Sequence, residues 1–176
     1  MQLRELTIGS TFGYAGRRWI LLDRKEDRCL VLMSATLGSR QYDGGHHARF
    51  DQSSLGAWLN KEFAEALLSG GASESDLTPI LLNIAPGQTA DCVHGRRAGL
   101  LSWRQWLRYA DLILAATGPK PYWAWQWTCT ISEGIHGQGL RCVADRPQSY
   151  AYYPPNHPEP EVRPALSLMA YAEVEP

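Results

Sequence analysis

The stretch Pro121 to Thr130, PYWAWQWTCT, carries Tyr122, Trp123, Trp125 and Trp127 within six residues. A second aromatic run, Tyr150, Tyr152 and Tyr153, precedes Asn156 and His157. Indole and phenol rings offer large contact area at low entropic cost, so they stack on sugar rings or on apolar patches of other proteins. They also fill cores. In a strand, alternate side chains share a face, which puts Trp123, Trp125 and Trp127 on one side and Tyr122, Ala124, Gln126 and Thr128 on the other. That alternation suits a half-buried antiparallel strand whose indoles mainly build the core. Trp123, nearest the turn signalled by TGPKP, is the end that reaches the surface. The candidate ligand-binding set is therefore Trp123, Tyr150, Tyr152, Tyr153, Asn156 and His157.

Other chemistries lack their residue patterns. Among the five histidines, none stands in HExxH or another ligand spacing, and the adjacent His46 and His47 point in opposite directions if extended. They read as solvated loop histidines. Cys29, Cys92, Cys129 and Cys142 are widely spread with no CxxC pair, so they read as small buried hydrophobes. Cys129 and Cys142 could face each other across a hairpin. No GxSxG elbow is present, and GQGLRC lacks the GK[ST] of a phosphate loop. Glu159 and Glu161 sit in a proline-rich stretch and read as solvated rather than as a general acid and base. The expectation is a chain with no catalytic residue, no metal ligand and no cofactor.

The elements that must position the aromatic groups follow from pattern. With 176 residues and no linker-like stretch, a single domain over 1–176 is expected. FGYAGRRWILLD, a charged turn RKEDR, and CLVLMS read as a β-hairpin. SSLGAWLNKEFAEALLSGG reads as the main helix, with Leu55, Trp58, Leu59, Phe63, Ala66 and Leu67 on one face. Asp51, Ser53 or Ser54 can cap its start, and Gly70-Gly71 ends it. Asn60, a mediocre helix former, either bonds to nearby backbone or is solvated. SESDL reads as a short helical turn and TPILLNI as a strand. GLLSWRQWLRYADLILAA begins as a strand at Leu100-Leu101 and becomes a helix from Ser102. YWAWQWTCTI, GLRCVA and VRPALSLMAY read as strands, the last two separated by ADRPQSYAYYPPNHPEPE, a loop with five prolines. The order predicts an α+β fold, one main and one minor helix, with N- and C-terminal strands in one antiparallel sheet.

Charge and hydropathy bound the partners. The formal net charge is −1 without a long single-sign run, so nucleic acid and anionic membrane have no electrostatic footprint. No apolar stretch approaches the roughly 20 residues of a spanning helix, so membrane insertion is not expected. MQLRELTIGSTFG carries charges where a signal peptide needs an apolar run, so the chain is expected to be made in the cytoplasm. Any surface location would come through an assembly or another route.

Several stretches together resemble a bacterial and phage family of uncharacterised domains. FGYAGRRWILLD resembles that family's "G…W.VLD" opening, and LGAWLNKEF its "LR.WLN..F" helix at Leu55, Trp58, Leu59, Asn60 and Phe63. GLLS is similar to its "FLLS" strand, WAWQWTCT falls where it has a Trp-rich "WWLRS" strand, and VRPALSL matches its closing "GVRPAL". The motifs span residues 12 to 168 in the family's order. Glu161 replaces the usual glycine before VRPAL, and Gln126 and Thr128 to Thr130 replace the Leu-Arg-Ser of the tryptophan strand. The family looks like a branch of the C-type-lectin-like fold, related to the variable receptor-binding proteins of phages and diversity-generating retroelements and to formylglycine-generating enzymes. The calcium-lectin signatures EPN, QPD and WND are absent, so calcium is not expected.

The resemblance implies a compact domain whose termini meet in a sheet and whose loops between C-terminal strands present a binding face. The leading expectation is a non-enzymatic module, such as a phage or prophage structural protein that recognises a host surface glycan or protein. The alternative is a virion assembly or decoration protein whose aromatic surface meets other virion proteins or further copies of itself. An oxidase related to the formylglycine enzymes is the minor alternative. Trp58, Asn60 and Arg163 are assigned structural roles. A guanidinium in the apolar run at Arg163 must be paired or must donate to backbone carbonyls, because an unpaired buried charge is too costly. Pro164, with no N–H, points to an edge or bulge there.

Overall fold

The computed structural model describes residues 1–45, 47–82, 92–93, 97–119, 124–134, 137–143 and 150–176. The architecture is mixed α+β, and the ladders between its described strands are antiparallel. Three strands open it: β1 (Thr11–Tyr14), β2 (Arg17–Lys25) and β3 (Arg28–Met33). The sequence suggested a single strand from Phe12 to Asp23, but Ala15 and Gly16 take φ of 52° and 68° and turn the chain between β1 and β2. Two successive positive φ values match the right-handed twist of a tight hairpin. The charged run RKEDR extends β2 to Lys25, and the next turn is confined to Glu26 and Asp27.

The main helix is α1 (Ser54–Trp58), a π-helical turn Leu59–Phe63, and α2 (Ala64–Ser69). Ser53 caps it, its hydroxyl accepting from Gly56 N at 3.0 Å. At the far end Gly70 lies so close to the Ala15 carbonyl that a Cβ would sit 2.7 Å from its oxygen, so the helix terminus packs on the first hairpin turn. SESDL forms a single hydrogen-bonded turn, Asp76 N donating to Ser73 O at 3.1 Å, and its Leu77 already belongs to the next strand. The expected strand TPILLNI is divided at Pro79 into β4 (Leu77–Thr78) and β5 (Leu81–Leu82); its last two residues lie outside the described part. β5 pairs with β6 (Cys92–Val93). β7 (Ala98–Gly99) ends just before Leu100-Leu101, and α3 (Trp103–Thr117) follows. Ser102 caps α3 in a capping box with Gln105, as the ST-x-x-Q logic of such starts requires.

The last third adds β8 (Gln126–Gly134), β9 (Gly137–Val143), β10 (Tyr150–Tyr153) and β11 (Ala165–Met169). β11 leaves the other C-terminal strands and pairs with β3, Ala165 opposite Leu32 and Met169 opposite Arg28. The main sheet thus runs β1-β2-β3-β11-β4, with β7 also on β11, while β10-β9-β8 form a second sheet. N- and C-terminal strands do share one sheet. The tail closes it further: Leu3 N donates to Ala172 O, Val174 N to Met1 O, and Glu175 and Gly13 exchange bonds at 2.7 and 2.9 Å. Pro164 falls immediately before β11, where its carbonyl accepts from Met33 N.

The core gathers Phe12, Trp19, Ile20, Leu21 and Leu22 from the first strands with Leu55 and Leu59 of the main helix, Ile113 of α3, and Leu166 and Leu168 of β11. Four consecutive buried residues in β2 mean that both faces of the strand are covered. Among the described residues, no helix is long and apolar enough to cross a membrane.

Candidate functional site

From Gln126 to Cys129 the tryptophan strand is buried on both faces, which corrects the half-buried expectation there. Trp127 is buried, and so are Gln126 and Thr128 on the opposite side. The reason lies in distant chain. α3 packs over β8, its Trp106, Ala110 and Ile113 lining a small void with Gln126 and Arg163. On the indole side, the proline-rich segment 154–162 is bonded along two flanks. Trp127 N donates to Glu161 O at 3.0 Å, and Glu161 N to Trp125 O at 2.7 Å. From the other flank Arg40 N donates to Pro160 O, Ser39 Oγ to Glu159 O, and both Tyr42 N and Asp43 N to Pro155 O. Prolines lack N–H donors, so this segment can be enclosed while leaving few groups to satisfy.

An aromatic wall results. Trp127 donates its indole N–H to Arg40 O at 2.7 Å and meets Tyr42 and Tyr153 edge-on at 5.4 and 6.5 Å between ring centres. Tyr153 meets Trp125 at 6.1 Å and the His157 ring at 4.4 Å. Trp125, Tyr153 and His157 are each half-buried, so one part of each ring is fixed by packing and another faces outward. Burial raises the Tyr153 phenol above its ordinary value, with Cys142 and Glu159 adding to the rise, so it stays a neutral donor. His157 Nδ1 accepts from Glu159 N at 3.3 Å, which fixes the ring proton of a neutral imidazole on Nε2. Asn156 is half-buried, with no hydrogen bond to its side chain among the described residues.

Of the proposed ligand set, Trp123 lies outside the described residues. Tyr150 and Tyr152 belong to β10, opposite Val143 and Arg141, with their side chains outside the described part. They were expected in a loop; the pairing with β9 makes them part of an edge strand instead. Tyr153 and His157 are brought together, with Asn156 next to His157 in the chain. Trp125 joins them, a residue assigned to the core because strand alternation cannot show where covering chain stops.

The three structural residues support the same region. Trp58 lies under the Arg40 guanidinium, 4.0 Å from its ring centre, so Arg40 links the main helix to the wall. Asn60 reaches back to Gly56 O at 2.9 Å and out to Ala98 O at 2.9 Å, while its Oδ1 accepts from Arg97 N and Ala98 N at 2.7 and 3.1 Å. Arg163 is buried and donates from Nε to Met33 O at 2.8 Å and from a terminal nitrogen to Ser34 O. Burial lowers its guanidinium to about 10, with Glu161 partly offsetting, so it remains a cation at neutral pH.

Beside the wall, Asp43 anchors the helix start. Its carboxylate accepts from His47 N, His47 Nδ1 and Ser54 N at 2.9, 3.0 and 2.8 Å. Burial pushes this carboxyl up, but the bonds from His47 and Ser54 outweigh it and hold it at about 2. Cys142 is a buried free thiol, as is Cys29, so Cys129 and Cys142 are not bridged. A bulge between Trp127 and Ile131 takes Cys129 out of register with Cys142, which sits opposite Trp127. The described part holds no group of three or more His, Cys, Asp or Glu placed to bind a metal ion. His46, His94 and His136 lie outside it.

No family model, no curated protein and no solved structure matches the chain.

Proposed function

We propose that the chain is a C-type-lectin-like binding module of the bacterial and phage family its motifs resemble, recognising a host surface glycan or protein. The observation that carries this reading is the half-buried group Trp125, Tyr153 and His157, held by packing and by a proline-rich segment bonded on both flanks. Rings fixed before a ligand arrives lose little entropy on binding, and their outward parts suit a sugar ring or an apolar patch. The order of elements and the termini paired into one sheet agree with the same fold assignment.

The test is binding of the purified chain to whole bacterial cells and to a glycan array, beside Trp125→Ala, Tyr153→Ala and His157→Ala. Each aromatic truncation is expected to weaken binding by about tenfold or more, as for central anchors of an interface. Binding unchanged in all three, with urea midpoints showing folded variants, would remove the wall as the site.

A virion assembly role is the second reading, favoured by Leu107 and Leu114, which lie two turns apart on α3 and are 38% and 39% exposed. A stable oligomer by solution mass, dispersed by Leu107→Glu, would favour it over receptor recognition.

A further inference from the structure

A groove of about 470 Å³ opens at the hairpin-turn end of the main sheet and shares no lining residue with the aromatic wall. Its volume falls in the range of roughly 300–1,000 Å³ typical of small-ligand sites. The β2–β3 turn forms one side and α3 the other, with Leu30 and Ile80 supplying apolar surface between them.

Within it stands a carboxylate with an unusual set of partners. The β2–β3 register slips between Leu21 and Asp23, and the extra residue, Leu22, brings Asp23 against α3. There Asp23 Oδ2 accepts from the Tyr109 hydroxyl at 2.7 Å and Oδ1 from Arg24 N at 2.9 Å. Each oxygen keeps a lone pair. Asp23 is half-buried, yet no cation pairs with it among the described residues. The Tyr109 phenol is pushed up to about 12 by burial and by Asp23, with the neighbouring Arg108 guanidinium partly offsetting the rise, so it serves as a fixed donor that orients the carboxylate. Arg108, beside Tyr109, and Lys25 across the groove also make no ion pair among the described residues, whereas Arg28 and Asp27 face each other at 3.8 Å. Three acids and three bases line the groove in all, so it is neutral overall and a singly charged ligand gains little from the net field.

We propose that this groove binds a small zwitterion, a free amino acid or short peptide, with its ammonium on Asp23 and its carboxylate on Arg108. An ammonium fills the open lone pairs of Asp23 and relieves a partly desolvated anion. A guanidinium fork matches a carboxylate in two parallel bonds, and Lys25 adds a second cation on the same side of the balance. Leu30 and Ile80 accept a small apolar side chain. This site is independent of the glycan or protein reading above.

Isothermal calorimetry on the intact chain, with a mixture of the free L-amino acids and with alanylalanine, tests it. Saturable heat with at least one of these probes is expected at millimolar concentration or below. N-acetylalanylalanine, lacking the ammonium, and alanylalanine amide, lacking the carboxylate, are expected to bind at least about tenfold more weakly. Asp23→Asn keeps the Tyr109 bond but removes the charge, and Arg108→Gln changes an exposed side chain; each should cost a similar factor. Tyr153→Ala should leave the heat unchanged. Absence of saturable heat with every free zwitterion, equal binding of the blocked peptides, or full binding by folded Arg108→Gln would each overturn the proposal.

Discussion

Asn60→Ala removes four hydrogen bonds at once and is the sharpest probe of how the main helix holds the sheet. Asn60 takes Gly56 O, the carbonyl that its own backbone N–H would take in a regular α-helix, and reads both polar groups of Ala98 on β7. Ala98 is completely buried, so its N–H and C=O have little water to turn to when the amide is gone. A buried group left without a partner costs about 1–3 kcal/mol, whereas the bonds to Gly56 O, which keeps its bond from Leu59 N, and to half-buried Arg97 N are worth about 0.5–1.5 kcal/mol each. Allowing for relaxation, the loss should be about 3 kcal/mol. A chain of this size loses about 2–4 °C of melting temperature per kcal/mol, which places the fall at about 6–12 °C. Urea unfolding followed by tryptophan fluorescence measures it, and Lys61→Ala on the exposed side of the same turn should cost under about 0.5 kcal/mol. Asn60→Asp keeps the two accepted bonds but sets a carboxylate against two carbonyls, so it should cost at least as much as alanine. Amide exchange at Ala98 should quicken in both variants. An Asn60→Ala loss no larger than that of Lys61→Ala would refute the clamp.

Other expectations follow from single contacts. Gly56→Ala, which in an open helix would stabilise by up to about 1 kcal/mol, should instead destabilise by about 2 kcal/mol, because a Cβ there overlaps the Phe50 carbonyl; a raised urea midpoint would contradict this. Tyr42→Phe removes a buried hydroxyl that has no hydrogen-bond partner among the described residues and should raise stability by about 1 kcal/mol, read as an upward shift of the same midpoint. Asp43 is held at about 2 against an ordinary 3.8, so its contribution of about 2 kcal/mol is complete above pH 4 and fades as pH falls through 2. Acid titration of stability should therefore be flatter over that window in Asp43→Asn than in the parent chain.

Much of the scaffold was legible in the sequence because it rests on local rules. The apolar face from Leu55 to Leu67, a cap among Asp51, Ser53 and Ser54, and the Gly70-Gly71 stop define the main helix from neighbours three and four residues apart, although the π-helical turn rotates the face so that Ala64 is buried and the expected Ala66 is exposed. Ser102 followed by Gln105 marks the start of α3 in the same way. The apolar runs of β2 and β3 declare strands, and their composition already implies cover on both faces. Arg163, a charge within an apolar run, announces that a partner must exist without saying which carbonyls provide it.

Only the tertiary structure decided what those elements expose. Strand alternation treats Trp125 and Trp127 alike, yet one is half-buried and the other buried, because segment 154–162 and the chain around Arg40 cover the strand unevenly. Tyr150 to Tyr153 read as loop from proline content nearby, but pairing with β9 overrides local preference, since ladder bonds come from residues distant in sequence. The joining of Asp23, Lys25 and Arg108 in one groove was equally hidden: it depends on a one-residue bulge and on the placement of α3, whose Tyr109 lies 86 residues beyond Asp23. Periodicity is a property of neighbours along the chain and so determines helices, strands and their inner faces. Sites are made where distant segments stop covering one another, and that is a property of the packed whole.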